Sequence, residues 1–274
     1  MEGKIIKIIS NSFTVLSDKE YTCQARGKFR NMKTTLLVGD NVVFDENKKI
    51  ILEVKPRRNS LIRPPIANID QSLIVVSVKE PDLDLYLLDK LLCLIEANNI
   101  RPLICFTKLD LLDDCKQISK IKDYYQKIGY QVFDNQDPKI KEIFKDKITV
   151  FAGQSGAGKS TLLNILDNTL NLKTNVISQA LGRGKHTTRH VELLSVLGGL
   201  CADTPGFSSL SLKELTKEDI KDNFVEFNNY RQYCAYKDCF HDKEEDCEIK
   251  RRLGKDILPS RYENYIKFLR KETI

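Results

Sequence analysis

The segment Gly153-Gln154-Ser155-Gly156-Ala157-Gly158-Lys159-Ser160 constrains this chain more than any other. It satisfies G-x-x-x-x-G-K-[ST], in which glycines let backbone N–H groups turn inward around phosphate oxygens and the following helix offers its N-terminus to negative charge. Its flanks agree, because residues 147–151 (KITVF) read as a buried strand and residues 161–166 as the opening of a helix. Lys159 is placed for the β- and γ-phosphates, the Ser160 hydroxyl for Mg2+, and the run from Gly153 to Thr161 for the rest of a phosphate chain. The bland alternative is a glycine-rich turn before a helix, and the strand–loop–helix context argues against it.

Such a loop belongs in strands that alternate with helices, and the chain around it has that pattern. Residues 72–78 (SLIVVSV) and 101–107 are continuous apolar runs of the kind expected for strands covered on both faces. Residues 85–97 and 117–127 have helical spacing, ending at Asn98-Asn99 and before Gly129. The expectation is a mostly parallel sheet of βαβ units.

Two further motifs sit at strand ends. Thr107-Lys108-Leu109-Asp110 closes the strand over 101–107, and a carboxylate there accepts two parallel N–H donors. Guanine offers N1–H and N2–H2 side by side and adenine does not, so Asp110 selects guanine, the Lys108 stem covers the base and Thr107 keeps a hydroxyl for loop contacts. Asp203-Thr204-Pro205-Gly206 follows an apolar strand over 199–202 and suits an Asp near Mg2+ and a Gly whose N–H meets the γ-phosphate. Between them, 182–190 (GRGKHTTRH) reads as the loop whose Thr meets Mg2+ in the triphosphate state, with Thr187 and Thr188 both open for that role. A plain basic loop is the alternative. The base motif precedes the phosphate loop, the reverse of the usual guanine-nucleotide switch, so the order is circularly permuted. The chain leaving Gly206 runs straight into a C-terminal module, which gives a short covalent lever between them.

Ahead of this core, residues 4–9, 12–16, 20–25, 41–44 and 49–54 alternate as short strands separated by turn residues, which suits a small barrel of the OB type. The formal charge of the chain is +6, and residues 1–64 hold 13 Lys/Arg against 7 Asp/Glu, so the whole excess lies there. That asymmetry fits either nucleic-acid contact or an ordinary solvated surface. Arg26, Lys28, Phe29 and Arg30 put cations around one aromatic, either an RNA contact in which the ring stacks on a base or a basic loop with Phe29 anchored in the core. Pro56-Arg57-Arg58-Asn59 and Pro64-Pro65 read as linker.

After the core, Thr216-Lys217-Glu218-Asp219 and Ser260-Arg261-Tyr262-Glu263 look like capping-box helix starts. Between them Cys234-(x4)-Cys239-x-His241-(x5)-Cys247 offers three thiols and an imidazole, a donor set for one closed tetrahedral structural zinc site. Disulfides leave one of these Cys unpaired. Cys23, Cys93, Cys105, Cys115 and Cys201 read as small core residues or bystanders. The N-terminus lacks an apolar export region and no apolar run approaches a membrane span, so the expectation is a cytoplasmic protein without membrane association; a monomer is also expected. The cuts fall near 64 and 211: a barrel over 1–64, the α/β core over 65–211 and a helical zinc-binding module over 212–274.

Taken in order, T-K-x-D, G-Q-S-G-x-G-K-S, G-R-G-x-H-T-T-R-H, D-T-P-G and C-x4-C-x-H-x5-C resemble the circularly permuted, ribosome small-subunit-dependent GTPase family (RsgA, YjeQ, YloQ) over nearly the whole chain. The resemblance implies an α/β P-loop GTPase with an N-terminal OB-type barrel and a C-terminal zinc domain. It implies GTP and GDP with Mg2+ as ligands, rRNA and ribosomal proteins of the small subunit as partners, and hydrolysis stimulated by that subunit late in its maturation. One departure is the stretch Phe133-Asp134-Asn135-Gln136-Asp137, which lacks the family's Ser-Ala pair behind the guanine. Phe207 follows Gly206 where many GTPases carry a water-orienting Gln, and His186 is the candidate for that task. The competing readings are a zinc-stabilised RNA-binding protein with a vestigial nucleotide site and an ATP-dependent kinase, the latter opposed by Asp110.

Overall fold

The structure is a computed structural model that describes residues 1–26, 29, 35–61, 64–167, 191–203 and 212–271. The strands along the chain are β1 (Glu2–Ile9), β2 (Ser12–Leu16), β3 (Glu20–Ala25), β4 (Asn41–Asp45), β5 (Ile50–Val54), β6 (Ser60–Leu61), β7 (Ile66–Ala67), β8 (Gln71–Ser77), β9 (Arg101–Thr107), β10 (Gln131–Asp134), β11 (Ile148–Ala152), β12 (Leu194–Val196) and β13 (Gly199–Asp203). The helices are α1 (Leu85–Ala97), α2 (Lys116–Lys127), α3 (Lys159–Leu166), α4 (Lys217–Asp222), α5 (Glu248–Arg251) and α6 (Pro259–Leu269). Two compact units share them: Met1–Ser72 with Pro138–Ala152 and Lys159–Phe207, and Leu73–Asp137 with Gly153–Gly158 and Ser208–Ile274.

In the first unit, β1 to β5 close a barrel in the order β1-β2-β3-β5-β4. Alternation explains it: in β2 and β4 every second residue (Phe13 and Val15, Val42 and Phe44) is buried in the barrel core. β3 and β5 pair in parallel and the other barrel pairs are antiparallel. The stretch expected to be linker is a strap instead. β6 and β7 form a small antiparallel pair, and Arg57 holds the fully buried Asp40 with Nε 2.7 Å from Oδ1. Arg58 meets Asp70 at 2.8 Å and Asn68 Nδ2 donates to Gly39 O at 3.0 Å. A buried carboxylate needs a counter-charge, and Asp40 takes it from Arg57 of that stretch. The same unit holds β11-β13-β12 in that order, β11 parallel to β13 and β12 folded back as a hairpin, together with α3 and its buried Leu162, Leu163 and Leu166.

In the second unit the strand order is β10-β9-β8, with β10 and β9 parallel. All seven residues of β8 are buried, as a strand covered on both faces requires. Asp84 caps α1 by accepting from Leu87 N. The C-terminal elements gather Ile220, Phe224, Phe227, Tyr265 and Phe268 into one core with Cys93 and Leu94 of α1. Within it Arg261, 1% exposed, donates Nη1 to Asp89 at 2.6 Å and Nε to Glu226 at 2.6 Å, while Tyr125 and Asn264 also bond Asp89. Burial raises the Asp89 carboxyl above its ordinary range against the pull of that guanidinium.

Thr216 and Asp219 form the expected capping box of α4. The second expected box is absent, because α6 begins at Pro259 with Leu258 as its cap, two residues before Ser260, and with no side-chain cap bond. The N–H that proline lacks has no intrahelical partner at the first helical position anyway, and its fixed φ suits that position, which leaves Ser260 inside the helix. Among the described residues no helix is long and apolar enough to cross a membrane.

Candidate nucleotide site and metal centre

The phosphate loop leaves β11 at Ala152 and opens α3 at Lys159. Gly153, Gly156 and Gly158 all take positive φ (126°, 81° and 91°), the left-handed conformations that turn successive N–H groups to one side. At Gly153 space also forbids a side chain, since a Cβ would lie 2.1 Å from Val75 O. Ala157 is fully buried and anchors the loop, its N–H donating to Gln154 O at 3.2 Å. Ser155 and Gly156 are exposed, Lys159 and Ser160 half-buried in the first turn of α3, and Thr161 exposed after them.

The base motif lies against this loop. Thr107, buried at the end of β9, donates its hydroxyl to Ala157 O at 2.7 Å, and its side chain is the nearest neighbour in the direction a Gly158 Cβ would take. Lys108 adopts φ 62°, which turns the chain sharply, and its Nζ donates to Glu80 O. Asp110 stands exposed in a 3-10 turn over Leu109–Leu111, its carboxylate open to paired N–H donors. The segment after β10 reaches the same strand edge, with Asn135 N donating to Phe106 O at 3.0 Å and Asp134 held by Lys122 at 2.5 Å. Sequence reading assigned no residue there: β10 is four residues long and carries no motif, and only its pairing with β9 reveals the placement.

β13 brings Asp203 beside Phe151 in the parallel register, two residues before Gly153, so the chain enters D-T-P-G at the strand end from which the phosphate loop also starts. Gly206, Phe207, His186, Thr187, Thr188, Lys28 and Arg30 lie outside the described residues. Of the proposed RNA contacts, Arg26 is exposed and lines an open groove of about 750 Å3 with Ser10, Asn11 and Thr35. Phe29 is a correction to its stacking role: it is 7% exposed and packed in the barrel core with Phe13 and Val42, so it offers no free face to a base.

The cysteine cluster comes together, with ligand atoms of Cys234, Cys239, His241 and Cys247 all within 4.8 Å of one another. His241 Nδ1 lies 3.6 Å from Cys234 Sγ and 3.4 Å from Cys247 Sγ, and those two sulfurs are 4.0 Å apart. A zinc tetrahedron with ~2.3 Å bonds to sulfur and ~2.0 Å to nitrogen has edges of about 3.5–3.8 Å, so the set fits. His241 Nε2 is buried without a partner among the described residues, which leaves Nδ1 as the nitrogen facing the thiols. Burial depresses the imidazole to about 4, keeping it in the neutral ligating form, and pushes the Cys239 thiol up to about 12, so a bound cation must displace thiol protons. The loop is held from outside by Glu244, which accepts from Phe240 N and Asp242 N, and by Tyr262 and Tyr265 hydroxyls on His241 O and Phe240 O.

Comparison with known proteins agrees with this architecture. A family model described as RsgA GTPase matches residues 54–213, and one described as RsgA N-terminal domain matches residues 2–50. The chain is 49% identical to the small ribosomal subunit biogenesis GTPase RsgA 2 of Oceanobacillus iheyensis, covering 98% of this chain and 96% of that one. It is 46% identical to the RsgA of Bacillus subtilis with the same coverage. Among solved structures it resembles YloQ, a circularly permuted GTPase (TM-score 0.82, 39% identity, covering 98% of this chain and 94% of that one). It also resembles YjeQ from Thermotoga maritima (TM-score 0.86, 33% identity, 98% and 97%).

Proposed function

The chain belongs to the RsgA GTPase family, and on that premise we propose that it works in small ribosomal subunit biogenesis and that the subunit accelerates its GTP hydrolysis. GTP hydrolysis itself follows from the family. The observation that supports the site assignment is the bond from Thr107 Oγ1 to Ala157 O, which sets the base motif against the phosphate loop. Its relatives carry the biogenesis role in their names, and the basic excess of the first 64 residues supports rRNA as the partner of the barrel.

In this reading the N–H groups of Gly153 to Gly158 hold the phosphate chain, Lys159 neutralises the β- and γ-oxygens, and Thr161 continues the cradle. Asp110 accepts from guanine N1–H and N2–H2 while the Lys108 stem covers the ring. Ser160, Asp203 and either Thr187 or Thr188 supply the hard oxygen donors for Mg2+, which contributes charge neutralisation when bound. Gly206 N–H marks the γ-phosphate. His186 positions the attacking water, because the Phe207 ring cannot accept a hydrogen bond from it. Cys234, Cys239, His241 and Cys247 hold one structural zinc. The protein acts as a cytoplasmic monomer, with module boundaries near 64 and 211.

The test is phosphate release at multiple turnover with GTP or ATP, with and without purified small subunits. GTP turnover accelerated by subunits, with little ATP turnover, is expected. His186→Ala should lose the stimulated rate and keep GTP affinity. Equal use of ATP, or indifference to subunits, overturns the reading.

A further inference from the structure

We propose that Ile6, Lys7, Glu192 and Leu193 form a positioning clamp through which the barrel governs hydrolysis. The inference rests on the subunit-stimulated reading above and names its route. β1 pairs with β2 as Ile5↔Val15 and then Lys7↔Thr14, so Ile6 drops out of the ladder as a bulge. A bulge leaves main-chain groups unpaired and usually re-aims them to a purpose. Here the Ile6 carbonyl accepts from Leu193 N at 2.8 Å, and Lys7 pairs with Glu192 in an antiparallel bridge. The Lys7 ammonium also meets Glu192 Oε1 at 2.9 Å. Ile6 and Leu193 are 6% and 2% exposed, and neither belongs to the barrel-core cluster that holds Ile5, so the junction is buried outside that core.

Its place in the chain gives the clamp a consequence. Immediately before it runs 182–190, the segment assigned to Mg2+ and the attacking water. Immediately after it runs the β12–β13 hairpin, whose last residue is Asp203. In chain order one assigned nucleotide-sensing segment ends just before the clamp, and the other follows it by a single hairpin. The same strand continues from Lys7 to Ile8 and the Ser10-Asn11 turn, which line the groove beside Arg26. RNA seated in that groove bears on β1 within a few residues of the clamp, and β1 cannot shift without carrying Leu193 with it. Lys7 and Glu192 are the adjustable part, because their side chains are about one-third exposed (35% and 31%) and neither belongs to the barrel core or to the nucleotide site.

The experiment compares wild type, Glu192→Lys and the swapped pair Lys7→Glu/Glu192→Lys in the full chain. It measures GTP affinity, basal turnover, subunit binding and subunit-stimulated kcat. Glu192→Lys sets two ammonium groups face to face and should lower stimulated kcat at least about fivefold, the lower end of ordinary site-to-site coupling. Basal turnover, GTP affinity and subunit binding should stay as in wild type, and the swap should recover the stimulated rate. A merely structural pair gives no such kcat-only loss with rescue. Full stimulation in Glu192→Lys, or a swap that recovers nothing, overturns the clamp alone. Wild type that ignores subunits overturns the functional reading, and the clamp with it.

Discussion

Replacing Arg261 with Met tests what binds the C-terminal module to α1. The guanidinium donates Nε and Nη2 to Glu226 at 2.6 and 3.1 Å and Nη1 to Asp89 at 2.6 Å, with all three residues 1% exposed. Its removal leaves two buried carboxyl groups without a counter-ion, and breaking a buried pair in this way costs ~3–5 kcal/mol. The cost depends on pH in a fixed direction. Burial already raises Asp89, with Arg261 the foremost opposing influence, so loss of the guanidinium raises it further. A carboxyl whose folded pKa exceeds its unfolded value binds more protons folded than unfolded, so stability falls as pH rises above about 4. The deficit of the variant is therefore small near pH 4 and grows by at most ~1.4 kcal/mol per pH unit as the Asp89 carboxyl ionises. At ~2–4 °C per kcal/mol the melting temperature near neutrality should fall by about 10 °C. Calorimetric scans across a pH series read it directly. An apolar triple variant, Asp89→Leu/Glu226→Met/Arg261→Met, should recover most of the loss, because it buries no orphaned charge. An unchanged Tm at neutral pH, or a deficit that shrinks as pH rises, refutes the reasoning.

Gly153→Ala forces a Cβ to within 2.1 Å of Val75 O at φ 126°, so the loop must rebuild; fluorescent-GDP titration should show affinity lost by at least about tenfold. Thr107→Val leaves the buried Ala157 carbonyl unsatisfied at ~1–3 kcal/mol, about tenfold or more in nucleotide affinity, whereas Thr107→Ser should bind as wild type in the same titration. Metal analysis should find one zinc per chain, and a chelator should unfold the C-terminal core by circular dichroism. Chelation should proceed more readily as pH falls, because protons compete for the Cys234, Cys239 and Cys247 thiolates; easier removal at high pH would count against the assignment.

What could be read beforehand followed the range of the signal. The phosphate loop, the base motif and the cysteine set are contiguous strings whose chemistry is local, and the barrel strands are visible as two-residue alternation in Phe13-x-Val15 and Val42-x-Phe44. The strap has no local signal, because the partners of Arg57 and Arg58 are Asp40 and Asp70, 17 and 12 residues away. Ser260 matched a capping pattern, but Pro259 took the first helical position. Phe29 had two readings and core packing chose between them. The Lys7–Glu192 and Asp89–Arg261 pairs span 185 and 172 residues, and nothing in either neighbourhood names the other.

That long-range pairing changes what the permuted order does mechanically. From the order alone, the chain leaving Gly206 looks like a lever that swings a C-terminal module. A module that swings must first separate from what it packs against. Here α6 and α1 share Arg261, Asp89 and Asn264, and Phe268 packs on Tyr86 with ring centroids 5.1 Å apart. Separation breaks this ion-pair network and exposes the apolar core of Phe224, Phe227, Tyr265 and Phe268 with Cys93 and Leu94 to water, the costly part of the opening. The module therefore packs with α1 in the unit whose β9 carries Thr107, which bonds the phosphate loop at Ala157. On the upstream side the chain into Asp203 is tied to β1 through Leu193. Each end of the chain around D-T-P-G is thus packed within its own unit, Leu193 and Asp203 with β1 and β11 and α6 with α1.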